Sequence, residues 1–504
     1  MKLFIKTLLI IFLFSCCMVV NSCNRDHLDL LPHGPTEQSY FVTEDEFDRA
    51  VLGVYAKMSD FFWFNTAPGN STISAFLLPG DDITTNQSNE EFEIFGPLQP
   101  SSGRVSYLFS RHYQMINRAN VVLQKIAEVK DGVYQNPDLK NHHNGEALFL
   151  RGYAFYNLWI FYGTAPLVIE RPESSDQFTP PGTTGTQLLD QAIKDFTEAE
   201  TLLPATWDVA NRGRVTANSA HGMLGKSLVF RGSATKNTAD YTAAISAFNK
   251  ISGAALVSNF TDNFAWDTEN NAESLFEYQS GGAFSEDNVW LGNDFDNAIG
   301  SFSVYWGFYS NNSTGQQGRS RFFGTTKLLN AYSTNDPRRA ATLNPTDRTV
   351  RKYASRDKET GSGVGSMNNY RILRYADVLL LKAEAILQSG GSTADAIALI
   401  NEVRGRARAM VPASVEPANR AVSETNKETI MTWIMNERFL ELAGEGQRWP
   451  DIKRWQLQSI ISLDNAFFSS NLNTVSFQPA KHLNFPIPSN EIDVNPNISQ
   501  NPGY

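Results

Sequence analysis

Ile372-Leu373-Arg374-Tyr375-Ala376-Asp377-Val378-Leu379-Leu380-Leu381-Lys382-Ala383-Glu384-Ala385-Ile386-Leu387 is the stretch that decides the fold class. Ile372, Leu373, Ala376, Leu379, Leu380, Ala383, Ile386 and Leu387 recur at spacings of three and four, which predicts one apolar stripe on a helix over 371–389. Gly390-Gly391 stops that helix, and Ser392 or Thr393 caps a second one over 393–409 that packs back against it. The alanines on the stripe allow the two helices to approach closely.

Outward from this hairpin the same grammar repeats. Helices are expected over 104–130, 144–162, 185–203, 216–232, 239–252 and 426–443. Glu146-Ala147, Ser219-Ala220 and Tyr375-Ala376 open related patterns, each beside a second amphipathic helix. Degenerate helix hairpins of about 34–40 residues are the mark of tetratricopeptide-like stacking. Thr43 with Glu46 forms a capping box ahead of the periodic Phe47, Val51, Val54, Tyr55 and Met58. Residues 253–370 differ. They are rich in Gly, Asn, Ser and aromatics, so long ordered loops are expected there, with a short strand at Leu275–Gln279. The fold class is therefore mainly α, with helical hairpins, long ordered loops and few short strands.

The first 22 residues read as an export signal. Lys2 and Lys6 precede the apolar Leu8–Phe14, and Val20-Asn21-Ser22-Cys23 has the form of a lipidation boundary. Cys23 is the expected lipid attachment point, and the mature chain, 23–504, is expected outside the cytoplasm. It divides into an N-terminal helical part (23–252), the loop-rich part (253–370) and a C-terminal helical part (371–504). The other two of the three cysteines, Cys16 and Cys17, fall inside the leader, so the body has neither a disulfide framework nor a thiolate metal site.

The composition excludes several functions. With 41% apolar and 19% charged residues the chain is globular, and a net charge of −10 argues against nucleic acid as a partner. Phosphate loops, dinucleotide fingerprints and nucleophile elbows are absent, and His142-His143 lack zinc-helix spacing; they read as solvated residues ahead of a helix. No catalytic residue, metal or cofactor is expected. The densest charged run, Glu437 to Trp455, reads as structural, with Arg438, Glu441, Arg448 and Asp451 paired at helical spacings: Arg438 with Glu441, Arg448 with Asp451, Asp451 with Arg454.

Two aromatic clusters remain. Phe284, Trp290, Phe295, Phe302, Tyr305, Trp306, Phe308 and Tyr309 fall within residues 284–309, where the chain-wide 12% aromatic content would place about three. They sit among Asn and Asp rather than on a helix stripe. Sugar rings offer flat C–H faces to aromatics and hydroxyls to amides and carboxylates, so Trp290, Tyr305, Trp306 and Tyr309 are candidate ligand contacts. Trp63, in Phe61-Phe62-Trp63-Phe64, together with Asp81 and Asp82, supports them. Rigid aromatics with a few polar groups serve peptides equally well, so the two ligand classes stay open on this reading.

The lipidated Cys23 with Leu28-Asp29-x2-Pro32, the segment Asn369 to Ala385, Asn401-Glu402-Val403-Arg404, the Glu437–Trp455 run and the terminal Pro486-Ile487-Pro488 together resemble the SusD/RagB family of outer-membrane nutrient-binding lipoproteins. Pro450 is a local variation. The resemblance implies a SusD-like, tetratricopeptide-containing fold, anchored at the cell surface and capping a SusC-like TonB-dependent transporter. It also implies that the chain delivers a glycan to that partner. An oligopeptide ligand, or a helical scaffold without ligand, are the alternatives.

Overall fold

The computed structural model describes residues 39–62, 72–280, 322–353 and 368–504. Helix α1 (Glu44–Tyr55) opens on the expected box: the Thr43 hydroxyl accepts from Glu46 N, and the Glu46 carboxylate accepts from Thr43 N. There follow α2 (Gly103–Glu128), α3 (Pro137–Tyr162), α4 (Gln187–Leu202), α5 (Ala217–Thr235) and α6 (Thr238–Phe248). After a long insertion come α7 (Tyr375–Gln388), α8 (Thr393–Ala409), α9 (Lys427–Glu441) and α10 (Arg448–Gln458). Consecutive helices are neighbours in space, each packing on the next from α2 to α6. After the insertion α7 resumes the stack directly against α6. Helix α3 is central and buried on all sides from Gly145 to Tyr162. The α5–α6 crossing depends on Gly225, where any Cβ would run into the Phe248 ring.

Strand content is confined to two short antiparallel pairs among the described residues. Strand β1 (Ile83–Thr85) pairs with β3 (Phe322–Gly324), and β2 (Ser274–Tyr278) pairs with β4 (Tyr370–Arg374). The expected strand at 275–279 is therefore present, one residue earlier. The helix expected from 371 begins only at Tyr375. Ile372 and Leu373 belong to β4, since a short apolar run does not by its periodicity distinguish strand from helix, and the partner strand decides. The capping of α8 is by Ser392, which accepts from Asp395 N. His142 and His143 lie inside α3 rather than ahead of it. His143 is fully buried between Tyr134 Oη (2.9 Å) and Asp48 Oδ1 (3.1 Å), which corrects the reading of it as solvated, while His142 is half-buried.

An ionic seam pins the insertion to the array. Arg374 Nη1 donates to Glu273 Oε1 and to Glu441 Oε1, each at 2.7 Å, and Arg374 Nε donates to Glu445 Oε2 at 2.7 Å. Arg338 bridges Asp336, Glu437 and Glu441, and Arg406 joins Glu273 to Glu441. A second group sets Arg438 between Asp451 and Asp377, Lys226 on Asp377, and Arg454 between Asp451 and Glu384. Of the three pairs expected from helical spacing, only Asp451–Arg454 forms. Arg438 turns away from Glu441 to Asp377 and Asp451, and Arg448 pairs with Asp81 instead of Asp451. The reason is burial: a guanidinium out of water needs carboxylates on several sides, and neighbouring elements supply them. Burial disfavours the Glu441 anion, but Arg406, Arg374 and Arg338 outweigh it and hold the carboxyl well below the ordinary range. Asp377, equally buried, is brought down to about 2 by Lys226 and Arg438.

Candidate functional site

Four buried aromatic side chains meet beside the β2–β4 pair and form an internal platform. Phe62 ends a short helix (Ser59–Phe62), and its ring lies 5.2 Å from Tyr278 on β2 and 4.7 Å from Tyr370 on β4. Tyr353 stacks on Tyr370 at 5.7 Å and 25°. In the β2–β4 register Tyr278 stands opposite Tyr370, so one strand pair presents both rings. Residues 63–71, 281–321 and 354–367 each begin or end within three residues of this cluster. Trp63, Trp290, Tyr305, Trp306 and Tyr309 themselves lie outside the described residues, as does Cys23.

Asp81 and Asp82 are described, and they correct the expectation of ligand contact. Asp81 is fully buried, with Arg448 Nε at 2.5 Å from Oδ1 and Lys327 Nζ at 2.5 Å from Oδ2. Asp82 is equally enclosed and accepts from Gly444 N at 3.0 Å. Burial pushes its carboxyl up to about 6; the Gly444 N–H opposes the shift and the Asp81 charge adds to it. The pair secures β1 beneath β3: the Thr325 hydroxyl donates to Asp81 O and Thr325 N donates to Asp82 O.

Beside the platform the surface opens into two adjoining cavities. The smaller, about 330 Å³, is lined by Leu52, Tyr55, Ser59, Arg212, Tyr278 and Gln279. The larger, about 650 Å³, lies between the α4–α5 connection, the end of α6 and β2. The turn Arg212-Gly213-Arg214 lines both. Gly213 has φ +97°, and a side chain there would overlap the Gln279 amide, so the turn lies directly on that amide. Gln279 and Asn270 exchange amide hydrogen bonds of 2.9 and 3.0 Å, and Asn369 Nδ2 donates to Gln279 Oε1 at 3.0 Å. Sequence reasoning did not reach these cavities. The one local signal was a glycine between two arginines in a connection between helices.

The matches to known proteins agree in fold. Residues 36–227 match the family described as "Starch-binding associating with outer membrane", and residues 277–504 match the SusD family. SusD-like protein P2 of Formosa agariphila is 25% identical, with 93% of this chain and 94% of that protein covered. A solved laminarin-binding SusD-like protein superposes with a TM-score of 0.71 at 25% identity, covering 92% of this chain and 100% of the other. Surface glycan-binding protein A from Bacteroides thetaiotaomicron, in complex with laminarihexaose, gives 0.71 at 20% identity, covering 91% and 99%. The chain belongs to the SusD/RagB family. Among the described residues no helix is long and apolar enough to cross a membrane.

Proposed function

We propose that this protein is a surface lipoprotein of the outer membrane, anchored at Cys23, that captures a glycan and delivers it to a SusC-like TonB-dependent transporter. In this reading it binds and does not catalyse. The observation that carries the reading is the match of residues 36–227 to the starch-binding family, together with the shared fold of a laminarin-binding SusD-like protein. Aromatic faces with convergent amides suit a sugar, whose C–H face stacks while its hydroxyls hydrogen-bond. The laminarin-binding relative and the laminarihexaose complex of a protein with the same fold support a glycan over a peptide. Trp290, Tyr305, Trp306 and Tyr309, with Trp63, are the proposed contacts.

A glycan array probed with the purified protein tests the ligand class; binding to peptides alone would overturn it. Calorimetry of Trp290→Ala and Trp306→Ala against the best array ligand then tests the site. Each stacking aromatic at a hot spot is worth about 2 kcal/mol, so roughly thirty-fold weaker binding is expected with circular dichroism unchanged. Two folded variants that bind like the parent would place the ligand elsewhere.

A further inference from the structure

Among the described residues, every buried Asp and Glu side chain but two is ion-paired with Lys or Arg. The exceptions are Asp82 and Glu93, and they flank the same strand, β1. Both also hold the C-terminal part of the chain. Asp82 Oδ2 accepts from Gly444 N at 3.0 Å. Glu93, on a short helix (Glu91–Ile94), accepts from the Thr84 hydroxyl of β1, from Asn473 Nδ2 at 2.7 Å and from Asn471 Nδ2 at 3.3 Å. Thr84 Oγ1 in turn accepts from Leu472 N at 2.8 Å, and the Asn473 amide also reaches Thr85 O and Gln87 O. The segments around 444 and 471–473 are thus fastened to the β1 region through two carboxyl groups that form no ion pair.

The charges around the two groups do not offset their burial. Glu90 faces Glu93 and is itself paired with Arg104, while β1 and residues 471–473 bring only hydroxyl, amide and apolar side chains. Asp82 faces Asp81, Arg448 and Tyr370, with Arg448 and Lys327 both committed to Asp81. Burial pushes the Glu93 carboxyl up to about 7; the Thr84 and Asn473 donors oppose the shift and the Glu90 charge adds to it. Asp82 stands at about 6, as described above. With folded values above the ordinary 4.5 and 3.8, stability is complete below those ordinary values and is lost as pH rises through the folded ones. The cover over Glu93 is thin. Leu472 is exposed and Asn471 and Asn473 are partly so, which makes lifting this segment a short route to rehydrating the anion.

We propose that Asp82 and Glu93 form a proton-operated latch, which clasps the segments around 444 and 471–473 to the β1 region in mild acid and loosens them as pH rises past neutrality. Because β3 of the loop-rich part pairs with β1, the latch bears on the seat of that part as well. Hydrogen exchange of the full chain, followed by mass spectrometry at about pH 5.5 and about pH 8 and corrected for intrinsic rates, tests it. Between those two values an opening that rehydrates Glu93 should become about twenty-fivefold easier at 471–473, and one that rehydrates Asp82 about fourfold easier at 444, each relative to the core of α3. Glu93→Gln and Asp82→Asn are neutral isosteres, and each should remove the dependence at its own segment with circular dichroism unchanged. Equal protection of both segments in the parent at the two pH values would overturn the latch, and so would a dependence that survives at either segment in its own variant.

Discussion

Glu441 is where the ionic seam can be tested most sharply. Its two oxygens serve Arg374, Arg406 and Arg338, and it is fully buried. Glu441→Gln keeps the shape and removes the charge, leaving three buried guanidiniums one carboxylate short. Their remaining partners, Glu273, Glu445, Glu437 and Asp336, stay in place, so the seam is weakened without being dismantled. Breaking a buried pair from one side costs about 3–5 kcal/mol. Unfolding entropy of about 2 cal/mol/K per residue gives a chain of this length about 1 kcal/mol/K, so the melting temperature should fall by about 3–5 °C at pH 7. The pH dependence has a definite sign. Because the folded Glu441 carboxyl lies below its ordinary value of 4.5, its contribution is complete above that value and is lost as pH falls through it towards the folded one. The gap between parent and variant should therefore close in acid. Scanning calorimetry at pH 7 and at successively lower pH measures both effects. A variant that melts with the parent at pH 7, or a gap that widens in acid, would refute the reasoning.

Asp82→Asn should act in the opposite direction. A folded value of about 6 against the ordinary 3.8 means that stability is lost as pH rises through 6, by about 3 kcal/mol at pH 7, so the variant should melt above the parent at pH 7 and with it near pH 4; a lower melting point at pH 7 would count against it. Cys23→Ala should release the protein from membrane fractions, since stable tethering needs the several acyl chains of a lipoprotein; retention of the variant in membranes freed of its transporter would remove Cys23 as the anchor.

Most of the helical array was legible in the chain because helices are written locally. The stripe over 376–387, the Gly390-Gly391 stop, the Ser392 cap and the Thr43–Glu46 box all involve residues three or four apart, and all are formed. Helix α6 ends at Phe248 and α7 begins at Tyr375, on either side of the stretch where the periodicity ceases. The aromatic enrichment at 284–309 was equally plain as composition.

What the sequence left open depends on partners far along the chain. Ile372 and Leu373 became a strand because β2, about a hundred residues earlier, lies beside them. Arg448 chose Asp81, 367 residues away, over Asp451 three residues along its own helix, and that choice took Asp81 out of any ligand site. Arg374 likewise found Glu273 across 101 residues. A buried charge takes the carboxylate that desolvates with it, wherever the chain brings one. The sequence alone therefore determined the helices, their stops and the family resemblance. Only the tertiary structure decided which charges pair and which carboxylates are buried.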